Sequence, residues 1–125
     1  MYPPIYAAVN VPAVRALLKS GNGPLRFWLF GMAPQGVAYP YAVWQTSGGT
    51  PENYLGNVPD VDSFGVQIDV YASEAQGTDM ARAVAQAIRD AIEPHCHITS
   101  WRGDSQDSVT KSYRFSFDCD WIVNR

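Results

Sequence analysis

Clustered positive charge, long apolar runs and a cysteine framework are all missing from this chain of 125 residues, and each absence removes a class of function. Nine Lys and Arg are scattered with no run among them, and the formal net charge is −3. High-affinity nucleic-acid binding needs clustered cations to displace counterions from phosphates, so it is disfavoured. No stretch approaches the roughly 20 apolar residues of a membrane span. The opening "MYPPIYAAVNVPAV" also lacks the cationic flank and apolar core of a signal peptide. A soluble, intracellular chain with no membrane partner is expected. Two cysteines allow one disulfide but no framework, and a reducing compartment keeps them as thiols.

Catalytic signatures are equally scarce. There is no Gly-x-Ser-x-Gly elbow and no Gly-x-Gly-x-x-Gly loop. "SGGTPEN" lacks the lysine and following helix of a phosphate-binding loop. Arg102-Gly103-Asp104 matches an integrin-type tripeptide but reads as a hairpin turn in a chain without a secretion signal. The chain reads as a non-enzyme without a cofactor.

What is present is an apolar fraction of 46%, ordinary for a globular domain, and a length that fits a single domain over residues 1–125. Seven Tyr, five Phe and four Trp exceed what one small core needs, which places some rings at contacts between proteins.

The first segment reads as helix in two pieces. Pro3 and Pro4 suit a first helical turn, and Pro12 either restarts the helix behind Asn10 as cap or kinks it. Val14, Leu17 and Leu18 form its apolar stripe. Arg26–Phe30 and Tyr39–Thr46 read as strands, the second with Pro40 near its start. In Ser63–Ala72, Phe64, Val66, Ile68 and Val70 alternate with Gly65, Gln67, Asp69 and Tyr71, so one face of this strand is buried. Thr78–Pro94 is a helix with Thr78 or Asp79 as cap and with Ala81, Val84, Ala85, Ile88 and Ile92 on one side. A last hairpin joins "HCHITSWR" to "YRFSFDCDWIV". The order is α-β-β-β-α-β-β, an α+β fold: an antiparallel sheet with helices packed on one face and a long arm between the second and third strands.

Two features could carry function. If the last hairpin turns between Asp107 and Ser108, Cys96 meets Cys119 on the core face, while His95 meets Asp120 and His97 meets Asp118 on the outer one. Two imidazoles and two carboxylates on one patch could bind a divalent metal. The plainer reading is two cross-strand pairs and two small buried thiols. The second feature is Ser47–Asp62, built from Gly, Pro, Asn, Ser and Asp and read as a loop. Loops beyond about 12–15 residues are uncommon in compact domains unless they are functional or disordered. Its apolar Tyr54, Leu55 and Val58 either enter a neighbouring subunit or fold back on their own sheet.

The opening "MYPPIYAAV", the segment "PYAVWQTSGGTPENYLGNVPDVDSFGVQIDVYA", the helix "ARAVAQAIRDAIEP" and the closing "YRFSFDCDWIV" together resemble the small tail completion, or tail terminator, proteins of long-tailed phages and prophages. That resemblance covers nearly the whole chain and implies a virion protein, assembled in the host cytoplasm, that closes into a homohexameric ring. The ring would sit at the head-proximal end of the tail tube, stop polymerisation of the major tail tube protein and offer a docking surface to the head and neck connector proteins. DNA would pass through without specific binding, as an acidic ring allows. On this reading Tyr54, Leu55 and Val58 make subunit or tube contacts, and Asp60, Asp62 and Asp69 lie near the channel or the tube-facing rim. The rivals are a head–tail connector (head completion) protein and a small metal-dependent enzyme using His95, His97, Asp118 and Asp120.

Overall fold

A computed structural model describes residues 3–54 and 57–124, without the side chains of residues 48–54, 57–61 and 124. Three helices, α1 (Ile5–Val9), α2 (Pro12–Leu18) and α3 (Gly77–Ile92), accompany five strands: β1 (Phe27–Leu29), β2 (Tyr41–Tyr54), β3 (Asn57–Ala72), β4 (His97–Gln106) and β5 (Tyr113–Asn124).

The two-piece opening helix is present, and Pro12 restarts it at the first position of α2, where a missing N–H costs nothing. Asn10 closes α1 instead of capping α2; its backbone and side-chain oxygens accept hydrogen bonds from Arg15 Nη1 at 2.9 and 3.0 Å. Ahead of α3, Ser73 and Gln76 bond reciprocally: Gln76 N–H donates to Ser73 Oγ at 3.2 Å and Ser73 N–H to Gln76 Oε1 at 3.0 Å. This is the pairing of a capping box, and it leaves Thr78 free to donate its hydroxyl to Asp104 Oδ1 at 3.0 Å rather than cap the helix.

The strands form one sheet in the order β1-β2-β3-β5-β4. Every pairing is antiparallel except β1 with β2, which is parallel, so the sheet is mixed and not purely antiparallel. The connection 30–40 is long enough to carry the chain back to the starting end before β2 begins. One side of the sheet is covered by α3, which lies on β3 and β5, with α1 and α2 packed beside it. Ala42, Trp44, Phe64, Val66, Ile68, Val70, Phe117, Cys119 and Trp121 point into that layer and meet Ile5, Val9, Val14, Leu18, Val84, Ile88 and Ile92. Each large aliphatic buried there stabilises the fold by about 1.5–3 kcal/mol. Ala81 and Ala85 let α3 approach the sheet closely; both are buried.

The described residues of the Gly- and Pro-rich segment, 47–54 and 57–62, are strand and not loop. β2 and β3 pair through it as far as Tyr54↔Asn57, with register shifts between Thr46 and Gly48 and between Glu52 and Tyr54. β1 accompanies β2 only as far as Trp44, so β2 beyond that point has a strand on one side alone among the described residues. Such an edge tolerates Pro51 and the glycines, which a central strand would not. On its far side β3 is paired with β5 out to Val61↔Asn124, and the β2–β3 hairpin continues past that point as an arm.

Candidate assembly surface

Beyond Val61 the arm keeps one cross-strand pair, Tyr54↔Asn57, across the irregularity that follows Glu52. Among the residues expected to make subunit or tube contacts, Leu55 and the side chains of Tyr54 and Val58 lie outside the described residues, as does the side chain of Asp60. Alternation along β3 puts Asp62 on the same face as the buried Phe64, whereas Asp69 occupies the opposite face. Asp62 and Asp69 therefore lie on opposite faces of β3.

Asp69 faces away from the helices yet is only 5% exposed. It accepts hydrogen bonds from Gln67 Nε2 at 3.0 Å and from the Ser116 hydroxyl, and Arg114 Nε lies 4.0 Å away. In the single chain it is a buried hub of the outer face, not an exposed rim acid. Tyr39, Tyr41 and Tyr71 extend that face, with ring centroids 5.4 Å apart for Tyr39–Tyr41 and 5.1 Å for Tyr41–Tyr71. Partial burial, then the neighbouring phenols, raises the Tyr41 hydroxyl above its ordinary value; burial and then Asp69 do the same to Tyr71.

The hairpin register differs from the sequence expectation. His97 pairs with Asp120, Ile98 with Cys119 and Ser100 with Asp118. The turn is fixed by Asp107 Oδ1, which accepts the N–H groups of Val109 (2.7 Å) and Thr110 (3.0 Å), and Lys111 adopts φ 63°. This centres the turn later than Asp107–Ser108. Two bulges in β4, one between Ile98 and Ser100 and one between Trp101 and Gly103, then slip the ladder step by step; Gly103 supplies φ +87° at the second. His95 consequently stands before β4, its ring parallel to Trp121 with centroids 6.5 Å apart, and it does not meet Asp120. Asp118 is held by Ser100 Oγ at 2.9 Å and Arg102 Nε at 2.8 Å, not by His97. Among the described residues no three His, Cys, Asp or Glu side chains come together as a metal site. Cys96 does reach Cys119, from the turn preceding β4. Both are free thiols, and the hydrogen bond to Cys119 together with burial pushes the Cys96 thiol well above its ordinary value.

Each edge of the sheet carries an apolar feature. At the β4 edge Trp101, 44% exposed, packs on Phe115 and Phe117 at 5.5 and 4.9 Å between ring centroids, with the Arg89 guanidinium 5.7 Å from its own ring centroid. Beside it runs an open groove of about 270 Å³ lined by Arg82, Ala85, Gln86, Arg89, Trp101 and Phe115. At the β1 edge Phe30 and Met32 are 65% and 67% exposed.

The profile of the tail completion protein gp17 family spans residues 4–124. The chain belongs to that family. No curated protein matches it in sequence. Among solved structures it is similar to a chain from the "Virion of native gene transfer agent (GTA) particle", with a TM-score of 0.67 at 12% identity over 97% of this chain and 92% of that one. At that identity the likeness concerns the fold.

Membership of the tail completion family makes this chain a structural protein of the virion tail. The arm and the outer face were read from the sequence; the exposed apolar residues at the two sheet edges were not. Met32 and Trp101 stand among polar or turn residues, where no periodicity marks them, and Phe30 closes the apolar run Phe27–Phe30, which reads as strand. The only available signal was the surplus of aromatic rings.

Proposed function

We propose that this tail completion protein is a tail terminator: copies of the chain close into a ring, a hexamer by family resemblance, on the head-proximal end of the tail tube. The ring occupies the face on which the next layer of tube protein would add. It ends polymerisation because its own far side lacks the patch that tube subunits recognise, and that far side receives the head and neck proteins. No bond is made or broken, so neither cofactor nor catalytic group is needed.

The observation that carries this reading is the β2–β3 arm continuing past the last β3–β5 pairing in a chain of the tail completion family. A projecting ribbon on a domain whose two sheet edges differ suits head-to-tail contacts, which close by rotation into a ring. The similar chain from a gene transfer agent virion fits the same setting. We assign Tyr54, Leu55 and Val58 to subunit or tube contacts, and Asp60 and Asp62 to the channel or rim. With net charge −3 per chain the ring would repel the phosphate backbone of passing DNA.

Purified protein mixed with isolated tail tubes and heads, viewed by electron microscopy, tests the assignment. A ring at one tube end supports termination; a ring found on the head vertex and never on tubes makes the chain a connector instead.

A further inference from the structure

We propose that Cys96 and Cys119 form a redox-sensitive clasp: two thiols in a reducing compartment, and one disulfide tying the α3–β4 turn to β5 in an oxidising one. The clasp suits any protein of the virion tail and does not depend on the terminator reading.

Three observations lead to it. The first is contact. The Cys96 thiol donates a hydrogen bond to the Cys119 sulfur, and Trp121 Nε1 donates to the same sulfur at 3.3 Å. A side-chain hydrogen bond between two cysteines needs Cβ atoms that already point toward one another, which is the condition a disulfide sets. The second is a fixed backbone on both sides. Cys119 lies in β5 between its partners Val66 on β3 and Ile98 on β4. Cys96 is fastened to the last turn of α3, its N–H donating to Ile92 O at 3.1 Å, and it packs against the core that holds Cys119. Neither residue has to be ordered before the bond forms. The third is access. Cys119 is fully buried and Cys96 half-buried, so an oxidant meets Cys96 first, with a resolving thiol directly behind it. The hydrogen bond and burial that push the Cys96 thiol up also make it slow, so closure follows prolonged exposure rather than a brief pulse.

The oxidant is a hydroperoxide, hydrogen peroxide in the simplest case. The Cys96 sulfur attacks one peroxide oxygen, the O–O bond breaks, and water leaves with the thiol proton, giving a sulfenic acid. The Cys119 sulfur then attacks the Cys96 sulfur. The S–O bond breaks, the S–S bond forms, and a second water leaves with the Cys119 proton. Two electrons pass from the sulfurs to the peroxide. Closure encloses all of β4, an edge strand paired with β5 alone and interrupted by two bulges. Its Asp104 end is already fastened to α3 through Thr78 and Arg82. The disulfide fastens the His97 end as well. A cytoplasm keeps such thiols reduced, and a tail protein leaves that compartment with the released virion.

The full-length protein, incubated at length with hydrogen peroxide or with dithiothreitol, then alkylated, digested and analysed by mass spectrometry, tests the clasp. The peroxide sample should lose both alkylatable thiols and yield a peptide joining Cys96 to Cys119. It should melt about 5–15 °C above the reduced sample and return to the lower value with dithiothreitol. Cys96→Ser should melt as the reduced wild type does and gain nothing from peroxide, which also controls for methionine oxidation. Cys119→Ala gives the same comparison from the other sulfur should Cys96→Ser fold poorly. Sulfinic or sulfonic acid in place of the joined peptide, or bridges between chains on a non-reducing gel, would overturn the clasp. So would a Cys96–Cys119 bond that leaves the melting temperature unchanged. Tails purified in air and alkylated at once should carry the joined peptide, and free thiols at both positions there would remove the clasp from the virion.

Discussion

Asp69 is the side chain whose loss the single domain should feel most on its outer face. It is buried and accepts from Gln67 and Ser116 with Arg114 beside it, so Asp69→Ala strands at least two buried or half-buried donors. A loss of about 1–3 kcal/mol is expected from urea denaturation, and Asp69→Asn, which keeps the shape and an accepting oxygen, should lose less. Acid sensitivity is also a residue-scale property. The hydrogen bond from Arg82 holds the Asp104 carboxyl below its ordinary value of 3.8, and the N–H groups of Thr110 and Val109 do the same for Asp107. Their folded-state values are depressed, so the stability they contribute is present above the ordinary carboxylate range and is lost as pH falls through it toward the depressed values. Thermal melts between pH 6 and 3 should show this decline, and Asp104→Asn with Asp107→Asn should flatten it. An unchanged slope in the double variant would assign the decline to other acids.

Among the elements, α3 is the one whose packing is most exposed to error. Ala81 and Ala85 are fully buried where the helix lies on β3 and β5. Ala81→Leu should overpack that layer and destabilise by about 1–3 kcal/mol, whereas Gln86→Leu, on the exposed side, should leave the melting temperature almost unchanged. The same helix was legible in the sequence because its apolar positions recur at helical spacing, and β3 was legible because Phe64, Val66, Ile68 and Val70 alternate strictly with polar neighbours. The segment 47–62 was not, because Gly, Pro and Asn have low strand propensity while the ladder partner that overrides it is remote in sequence or across a turn. The register of β4 was lost for a different reason. Two bulges and a turn anchored by Asp107 but centred beyond it displaced His95 and Asp118 from their expected partners, and none of these follows from alternation alone. The parallel pairing of β1 was likewise hidden, since three residues carry no directional signal.

For the whole molecule the question is what its surfaces meet. The arm should be dispensable for folding and essential for capping: Tyr54→Ser with Leu55→Ser should melt as wild type does yet fail to bind tube ends. Normal capping by that variant would remove the arm from the mechanism and leave the sheet edges to explain assembly. The central claim, that this tail completion protein ends tube growth by occupying its terminal face, is tested most directly by the length of tails assembled in infected or induced cells with and without a functional copy of the chain, measured by electron microscopy. Without it, overlong tubes lacking a terminal ring are expected, and supplying it should restore one ring at one end and a single narrow length. Tails of normal length with normally formed ends in its absence would contradict the account.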